Sequence, residues 1–200
     1  MRPPTVSPPL SRRAWLKATS LGAAALAHPG LLKAASETDR FWALLREGGG
    51  IVLMRHALTV PGVGDPPDFR LGDCSTQRNL SEAGREQARR VGRAFSDAGI
   101  LINDVRSSAW CRCTETADLA FGQHRVWTPI NSFFAREGRE QQTREVLQAL
   151  RNHRAPDNLV LVTHQVNVAA LTGQSPAMGE LFLTRLVGTE RLAVLARLSV

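Results

Sequence analysis

The chain has 200 residues, 43% of them hydrophobic, which is enough for one domain with a sizeable buried core. Its formal net charge of +7 comes mostly from the N-terminus, because five of the 25 basic residues and none of the 18 acidic residues lie in positions 1–34. The other 20 basic and 18 acidic residues nearly balance, and they include no basic tract interleaved with aromatic residues. The composition therefore argues against a nucleic-acid-binding protein.

The N-terminal segment resembles a twin-arginine export signal. SRRAWLK at 11–17 contains two adjacent arginines and precedes a weakly apolar run of about 15 residues. His28 and Pro29 interrupt this run, which is too short to span a membrane comfortably. The resemblance implies a signal peptide over 1–35, passage through the twin-arginine translocation machinery, a periplasmic or otherwise extracytoplasmic location, and no stable membrane insertion after cleavage. A disordered basic N-terminus, or an anchor that is not cleaved, is the alternative.

From residue 36 to residue 200 the sequence predicts a single domain in which apolar strands alternate with helices. This alternation is typical of an α/β three-layer sandwich that has a mostly parallel central sheet, helices on both faces and, here, a C-terminal β-hairpin. The predicted strands are 51–54, 102–108, 125–127 and 158–162; the predicted helices are 81–99, 110–122, 139–153 and a short one ending near 171; the hairpin turns at Gly188.

The helix over 81–99 carries the clearest local signals. Ser81 is a suitable N-cap, and Gly99 can end the helix. Ala88, Val91 and Phe95 recur at helical spacing, so we expect them to form the buried stripe of this helix.

Cationic side chains follow three of the predicted strands. The first strand ends in Arg55 and His56, the last parallel strand ends in His164, and the strand over 102–108 leads to Arg112. Because ligands bind outside the carboxyl ends of parallel strands, we expect these side chains to converge in one crevice. A folded core has no use for several buried cations unless an anion offsets them, so the pattern predicts an anion-binding pocket.

Four segments follow one another along the chain: RHA at 55–57, RNLSEAGREQA at 78–88, SSAWCRCTETA at 107–117 and LVTHQVNVAALTG at 161–173, and GE at 179–180 then precedes the closing strands. In this order they resemble the histidine phosphatase superfamily, in its phosphoglycerate-mutase-like branch 1. The resemblance spans about residues 48–198, which is effectively the whole domain after the signal segment. Each motif alone is weak, whereas the ordered set is specific.

The resemblance implies that His56 is the catalytic nucleophile and forms a phosphohistidine, while Arg55, Arg112 and His164 complete the phosphate pocket. A neutral imidazole can attack phosphorus and form an intermediate that water resolves. Guanidinium groups pair with phosphate oxygens in a bidentate manner and stabilise transferred charge without a metal. The resemblance therefore implies no cofactor and no metal site.

The general acid is where this sequence departs from the family pattern. Relatives of the mutase type use a glutamate after the third strand, and this chain has Asn131 or Ser132 there. Glu137 is the nearest candidate for the acid, followed by Glu140; the alternative for Glu137 is a solvated acid at a helix start. In the acid-phosphatase branch the acid directly follows the second histidine, and Gln165 occupies that position here.

The long loop over 57–78, rich in proline and glycine, supplies further candidates. Arg78 is a candidate substrate-binding residue, and Arg70 is a weaker one; both have the alternative of being surface charges. Asp65 and Asp68 are more distant candidates for the general acid.

Cys74, Cys111 and Cys113 permit one disulfide and one free thiol in an oxidising compartment. Cys74 is able to pair with Cys111 or with Cys113, and three unpaired thiols are the alternative. Their spacing matches no zinc site.

Together these features predict an exported, metal-independent phosphatase that hydrolyses phosphate monoesters or activated phosphates through a phosphohistidine. The expected partner is a phosphorylated small molecule or an envelope sugar phosphate. Two alternatives remain: a catalytically weak protein of the same fold that binds a phosphate ligand or regulates, and a phosphotransferase or mutase.

Overall fold

The computed structural model describes Met1 and residues 36–102, 104–133 and 136–200. Apart from Met1, the predicted export signal lies outside the described residues. The described residues from 36 to 200 form one compact unit. Among the described helices, none has both the length and the apolar character needed to cross a membrane.

One six-stranded sheet forms the centre of this unit, and its strand order is β3-β2-β4-β1-β5-β6. Strands β1 to β4 are parallel, whereas β5 and β6 form the antiparallel C-terminal hairpin. The strands are β1 Ile51–Arg55, β2 Asp104–Ser107, β3 Arg125–Val126, β4 Leu159–Thr163, β5 Leu181–Val187 and β6 Arg191–Leu198. The helices are α1 Glu37–Arg46, α2 Glu82–Asp97, α3 Cys111–Phe121, α4 Arg136–Leu150 and α5 Gln165–Thr172. The predicted α/β class and C-terminal hairpin are confirmed.

Alternate residues of β1 enter two separate cores, one on each face of the sheet. Val52 and Met54 pack with residues of α1, α2 and α3, while Ile51 and Leu53 pack with residues of α4 and α5. A strand buried on both faces is a continuous apolar run, which is why IVLM at 51–54 has no polar alternation. The three layers follow from this two-sided burial.

The helix predicted over 81–99 is confirmed as α2, with the Ser81 side chain accepting a hydrogen bond from the Gly84 backbone N–H at 3.1 Å. Ala88, Val91 and Phe95 are buried, as expected.

Two helices differ from expectation. The bounds predicted for α4, 139–153, were wrong by three residues at each end. The last buried apolar side chain of this helix is Leu150, and no further apolar residue follows to hold another turn against the sheet. The sequence reasoning also missed α1, whose start is fixed by reciprocal hydrogen bonds between Ser36 and Asp39.

The loop over 57–80, called here the docked loop, is fastened to the start of α3. A disulfide joins Cys74 to Cys111, which selects one of the two pairings left open by the sequence and removes the alternative of three free thiols. Cys113 is free and buried. The Cys111 backbone N–H donates to Oε1 of Gln77 at 3.0 Å, so covalent and polar contacts hold the loop at the same place.

We predict that reduction of the Cys74–Cys111 disulfide lowers the free energy of unfolding by about 3–4 kcal/mol, because the bond closes a long loop in the unfolded chain. Denaturant unfolding with and without a thiol reductant measures this change. The Cys74→Ser variant is the control: it should show the lower stability already, and the reductant should not lower it further. Equal stability of the oxidised and reduced wild type would contradict the prediction.

Candidate active site

The sheet topology brings both histidines to one edge. His56 follows β1, His164 follows β4, and Ser108 follows β2. β4 lies between β1 and β2, with Arg55 opposite Thr163 and Ser107 opposite Val162, so the three strands end within one residue of one another. The ring centroids of His56 and His164 are 5.5 Å apart. The predicted convergence at the carboxyl edge of the sheet is therefore present.

Three arginines, called here the arginine cluster, surround these histidines: Arg55, Arg78 and Arg112. Arg55 ends β1, Arg78 belongs to the docked loop, and Arg112 lies in the first turn of α3. Burial, followed by the charges of Arg78 and Arg112, lowers the pKa of Arg55. Burial also lowers the pKa of Arg112, and the charge of Arg78 contributes to that shift. The three guanidinium groups are thus close enough to repel one another.

The arginine cluster holds unused donors. Among the described residues, five buried side-chain N or O atoms have no hydrogen-bond partner, and three of these are the Nε atoms of Arg55, Arg78 and Arg112. Buried polar groups in folded proteins are almost always bonded, so three unpartnered donors in one place require an explanation. Donors with positive charge at one site are complementary to an oxyanion.

His56 is held as a neutral imidazole. Its Nδ1 lies 2.9 Å from the Ala57 carbonyl oxygen, which can only accept, so we assign the proton to Nδ1 and the free lone pair to Nε2. Burial, together with the charges of Arg112, Arg55 and Arg78, lowers the pKa of His56 to about 3, against the opposing effect of the bond to Ala57. At neutral pH the Nε2 atom of His56 is therefore unprotonated and able to act as a nucleophile.

His164 lies at the centre of a buried polar network. Its Nε2 is 2.8 Å from Ser108 Oγ and 3.4 Å from Cys113 Sγ, while its Nδ1 is 3.5 Å from Nη2 of Arg112. Burial first, and then the charge of Arg112 and its neighbours, lowers the pKa of His164 well below its ordinary value. His164 is thus also neutral at neutral pH.

Of the acidic side chains that the structure describes, Asp65 is the one paired with the arginine cluster. Its Oδ1 accepts from Nη1 of Arg112 at 2.9 Å and from the Arg78 backbone N–H at 3.1 Å. The guanidinium of Arg112 also stacks on the Trp110 ring, 4.4 Å from its centroid. The docked loop thereby supplies a carboxylate that pairs with the buried guanidinium of Arg112.

The other candidate acids have different outcomes. Glu137 lies in the first turn of α4, and its side chain is outside the described part of the structure, so its role stays a prediction. Asp68 and Gln165 are exposed. Asn131 has a structural hydrogen-bonding role and no acidic proton to give. Its Oδ1 accepts from the Ala109 backbone N–H at 2.7 Å and from Ser108 Oγ at 3.0 Å.

The two candidate substrate-binding arginines lie in different surroundings. Arg78 belongs to the arginine cluster, whereas the exposed side chain of Arg70 pairs with Asp73 at 2.9 Å.

Sequence reasoning missed the parts played by Ser108 and Asn131, although Ser108 lies within the SSAWCRCTETA segment. Within the described residues, no group of three or more His, Cys, Asp or Glu residues is arranged to hold a metal ion.

Comparison with known proteins is consistent with this geometry. Residues 51–132 match the histidine phosphatase superfamily (branch 1), a range that contains His56, Arg78 and Arg112 and ends before His164. No curated protein matches this chain.

Several solved structures share the fold. A protein from Escherichia coli assigned as an alpha-ribazole-5′-P phosphatase is 16% identical, with a TM-score of 0.57 over 74% of this chain and 96% of that one. A protein from Agrobacterium tumefaciens assigned as the phosphohistidine phosphatase SixA is 19% identical, with a TM-score of 0.52 over 76% and 98%. A phosphoserine phosphatase mutant from Entamoeba histolytica, in complex with phosphoserine, is 10% identical, with a TM-score of 0.55 over 74% and 95%. The domain therefore has the fold of these phosphatases, and its residues 51–132 match the histidine phosphatase superfamily (branch 1).

Proposed function

We propose that the protein is an exported, metal-independent phosphatase that hydrolyses phosphate monoesters or activated phosphates through a phosphohistidine on His56. The observation that carries this proposal is the set of three unpartnered Nε donors in the arginine cluster, gathered beside two neutral, buried histidines. A phosphoryl group fits these donors in charge and in hydrogen-bonding capacity.

In the proposed first step, Nε2 of His56 attacks phosphorus, a nitrogen–phosphorus bond forms, and the bond from phosphorus to the leaving oxygen breaks. Arg55, Arg78 and Arg112 stabilise the charge on the transferring group. In the second step water attacks the phosphohistidine, which releases inorganic phosphate and restores neutral His56. The neutral state of His56 supports this role, because an imidazolium has no lone pair on Nε2.

The leaving oxygen needs a proton from a general acid in the first step. Glu137 is the proposed general acid, followed by the exposed Glu140, and Asp65 is a more distant candidate whose carboxylate lies beside Arg112. A positioned general acid contributes about 10²–10⁴ in rate. If the acid is weak or absent, we expect preference for activated leaving groups such as acyl phosphates, phosphohistidine or phosphoanhydrides. The structural neighbour assigned as a phosphohistidine phosphatase is consistent with that preference.

Export rests on the resemblance of residues 11–17 to a twin-arginine motif and on the Cys74–Cys111 disulfide, since disulfides persist mainly in oxidising compartments. An extracytoplasmic location favours phosphorylated envelope sugars or other external phosphate esters as substrates.

A second candidate function is favoured by one contact. The Asp65 carboxylate occupies a donor of Arg112, which weakens phosphate binding and would suit a catalytically poor phosphate-binding or regulatory protein. The two functions differ in whether phosphate esters turn over.

We predict that the wild type hydrolyses p-nitrophenyl phosphate in the presence of a metal chelator and that His56→Ala reduces kcat by at least about 10³-fold, because the nucleophile is lost. His124→Ala is the matched control, since His124 lies away from the site and pairs with Asp118 at 2.6 Å. Its activity should equal that of the wild type.

Three results of this assay are decisive. Unchanged activity in His56→Ala would overturn the phosphohistidine mechanism. Chelator-sensitive activity would overturn metal independence. Absence of turnover in the wild type on both p-nitrophenyl phosphate and acetyl phosphate, with phosphate still bound, would favour the binding protein.

Two roles are open to Asp65: competition with phosphate for Arg112, and protonation of the leaving group. The Asp65→Asn variant distinguishes them. If its carboxylate competes with phosphate for Arg112, Asp65→Asn should tighten phosphate binding by about 1 kcal/mol, or roughly fivefold, because a nearby negative charge is removed. Isothermal titration with inorganic phosphate measures this change. If Asp65 is the general acid, the same variant should instead lose kcat mainly on substrates with poor leaving groups. Unchanged phosphate affinity would contradict the competition.

A further inference from the structure

The hydrogen-bond network behind His164 determines which of its ring nitrogens carries the proton. The network runs from the Ala109 backbone through Asn131 and Ser108 to His164, and then to Arg112. Both of its ends are obligate donors, because a backbone N–H and a guanidinium have no lone pair to offer. The direction of every bond between them can therefore be deduced.

The deduction starts at Asn131. The Ala109 N–H lies 2.7 Å from Oδ1 of Asn131, which fixes that side-chain atom as the oxygen rather than the nitrogen. Ser108 Oγ is 3.0 Å from the same oxygen, so the single hydroxyl proton of Ser108 must point to Asn131. Ser108 Oγ then has only lone pairs for His164, and Nε2 of His164, 2.8 Å away, must carry the proton.

The remaining contacts agree with this direction. The Trp110 backbone N–H donates to Ser108 Oγ at 3.4 Å, which uses the second lone pair of the hydroxyl. The Cys113 thiol donates to the Thr163 carbonyl oxygen, so its sulfur is free to accept from Nε2 of His164 at 3.4 Å. Every partner of Nε2 is thus able to accept a hydrogen bond.

It follows that Nδ1 of neutral His164 has a lone pair directed at Nη2 of Arg112, 3.5 Å away. A phosphate oxygen that pairs with Arg112 at this position would face the lone pair on Nδ1 of His164. Two lone pairs repel each other, and no N–H donor would be available there. The contact becomes favourable only when Nδ1 also carries a proton and His164 is an imidazolium.

We propose that binding of a tetrahedral oxyanion at the arginine cluster is coupled to the uptake of one proton by Nδ1 of His164, and that Ser108 and Asn131 enforce this coupling as positioning residues. The proton comes from a monoprotonated phosphate ligand or, for a fully ionised ligand, from the buffer. Product release returns it. The inference rests on the proposed function only in requiring that the site bind oxyanions.

The titratable and charged groups that face His164 set the sign of the effect. They are Arg55 at the end of β1, neutral His56 directly after it, Arg78 from the docked loop, Arg112 and the neutral thiol of Cys113 from α3, and Asp65 through Arg112. In the free protein, burial and these cations lower the pKa of His164, whereas a bound dianion opposes the cations and raises it. Between the free-state and bound-state pKa values the complex holds one more proton, so affinity falls as pH rises.

Sulfate is the probe of choice, because it remains a dianion through the pH range tested and brings no proton of its own. For the full chain we expect the sulfate affinity to fall about tenfold per pH unit across the range between the free-state and bound-state pKa values of His164, as uptake of one proton requires. Titration calorimetry in buffers of different ionisation enthalpy should show close to one proton taken up.

Nitrogen-15 NMR of the histidine rings locates that proton, with the His164 signals assigned from their absence in His164→Asn. The free wild type at neutral pH should show His164 protonated at Nε2 and not at Nδ1, and sulfate should protonate Nδ1. This measurement on the wild type does not depend on whether any variant folds.

Ser108→Ala and Ser107→Ala form a matched pair. Ser108→Ala removes the acceptor that holds the proton on Nε2, so part of the His164 population should carry it on Nδ1, and the pH slope of sulfate affinity should flatten. Ser107→Ala removes a buried hydroxyl that bonds to the Ser108 carbonyl oxygen and not to the ring, so the slope should match the wild type.

Three results would overturn the inference: an Nδ1-protonated His164 in the free wild type, a sulfate affinity that is absent or independent of pH, or uptake of the proton by His56 instead. Failure of the proposed function is distinguishable. If sulfate binds with proton uptake at His164 while phosphate esters are not hydrolysed, the coupling stands and the phosphatase assignment fails.

Discussion

Mutual repulsion among the guanidinium groups of Arg55, Arg78 and Arg112 is the constraint on which the site depends; Arg112 is buried, and the other two residues are half-buried. Buried charges are expensive unless they are paired, and in this protein Asp65 offsets only part of the positive charge. Burial, and then the same positive charges, lower the pKa of both neighbouring histidines and so keep them neutral. The positive field that is complementary to an oxyanion thus also helps to keep His56, the proposed nucleophile, unprotonated.

The ends of three strands and the contacts of the docked loop position the histidines and the arginine cluster. The paired ends of β1, β4 and β2 fix His56, His164 and Ser108 relative to one another. The docked loop brings Asp65 and Arg78 to the start of α3, where the disulfide and the Phe69–Trp110 ring contact hold it. Since α3 begins at Cys111, the covalent bond lies one residue from Arg112. The stability of the loop and the geometry of the arginine cluster are therefore linked.

Much of this was predictable because the decisive signals are local. A strand buried on both faces is a continuous apolar run, and Arg55, His56 and His164 directly follow such runs, so the edge of the sheet where they meet follows from parallel topology. Helix α2 was predictable because its cap and its apolar stripe lie within one segment.

The parts that were missed depend on contacts between distant segments or on side-chain direction. Asp65 and Arg112 are 47 positions apart, and no periodicity joins them. The choice between Cys111 and Cys113 depends on the helix, in which residues two apart point about 200° apart. Cys111 accordingly faces the docked loop, while Cys113 is buried against His164. Only the Ser36–Asp39 capping pattern of α1 was available in the sequence and overlooked.

The central claim is that His56 carries the phosphoryl group, and trapping the phosphoenzyme tests it most directly. The wild type would be mixed with radiolabelled acetyl phosphate, quenched in base within milliseconds, digested and mapped by mass spectrometry. We expect a base-stable, acid-labile phosphate on the peptide that contains His56, at up to one per chain, and none in His56→Ala. A phosphate on any other residue, or turnover without a phosphoenzyme in single-turnover conditions, would contradict the account.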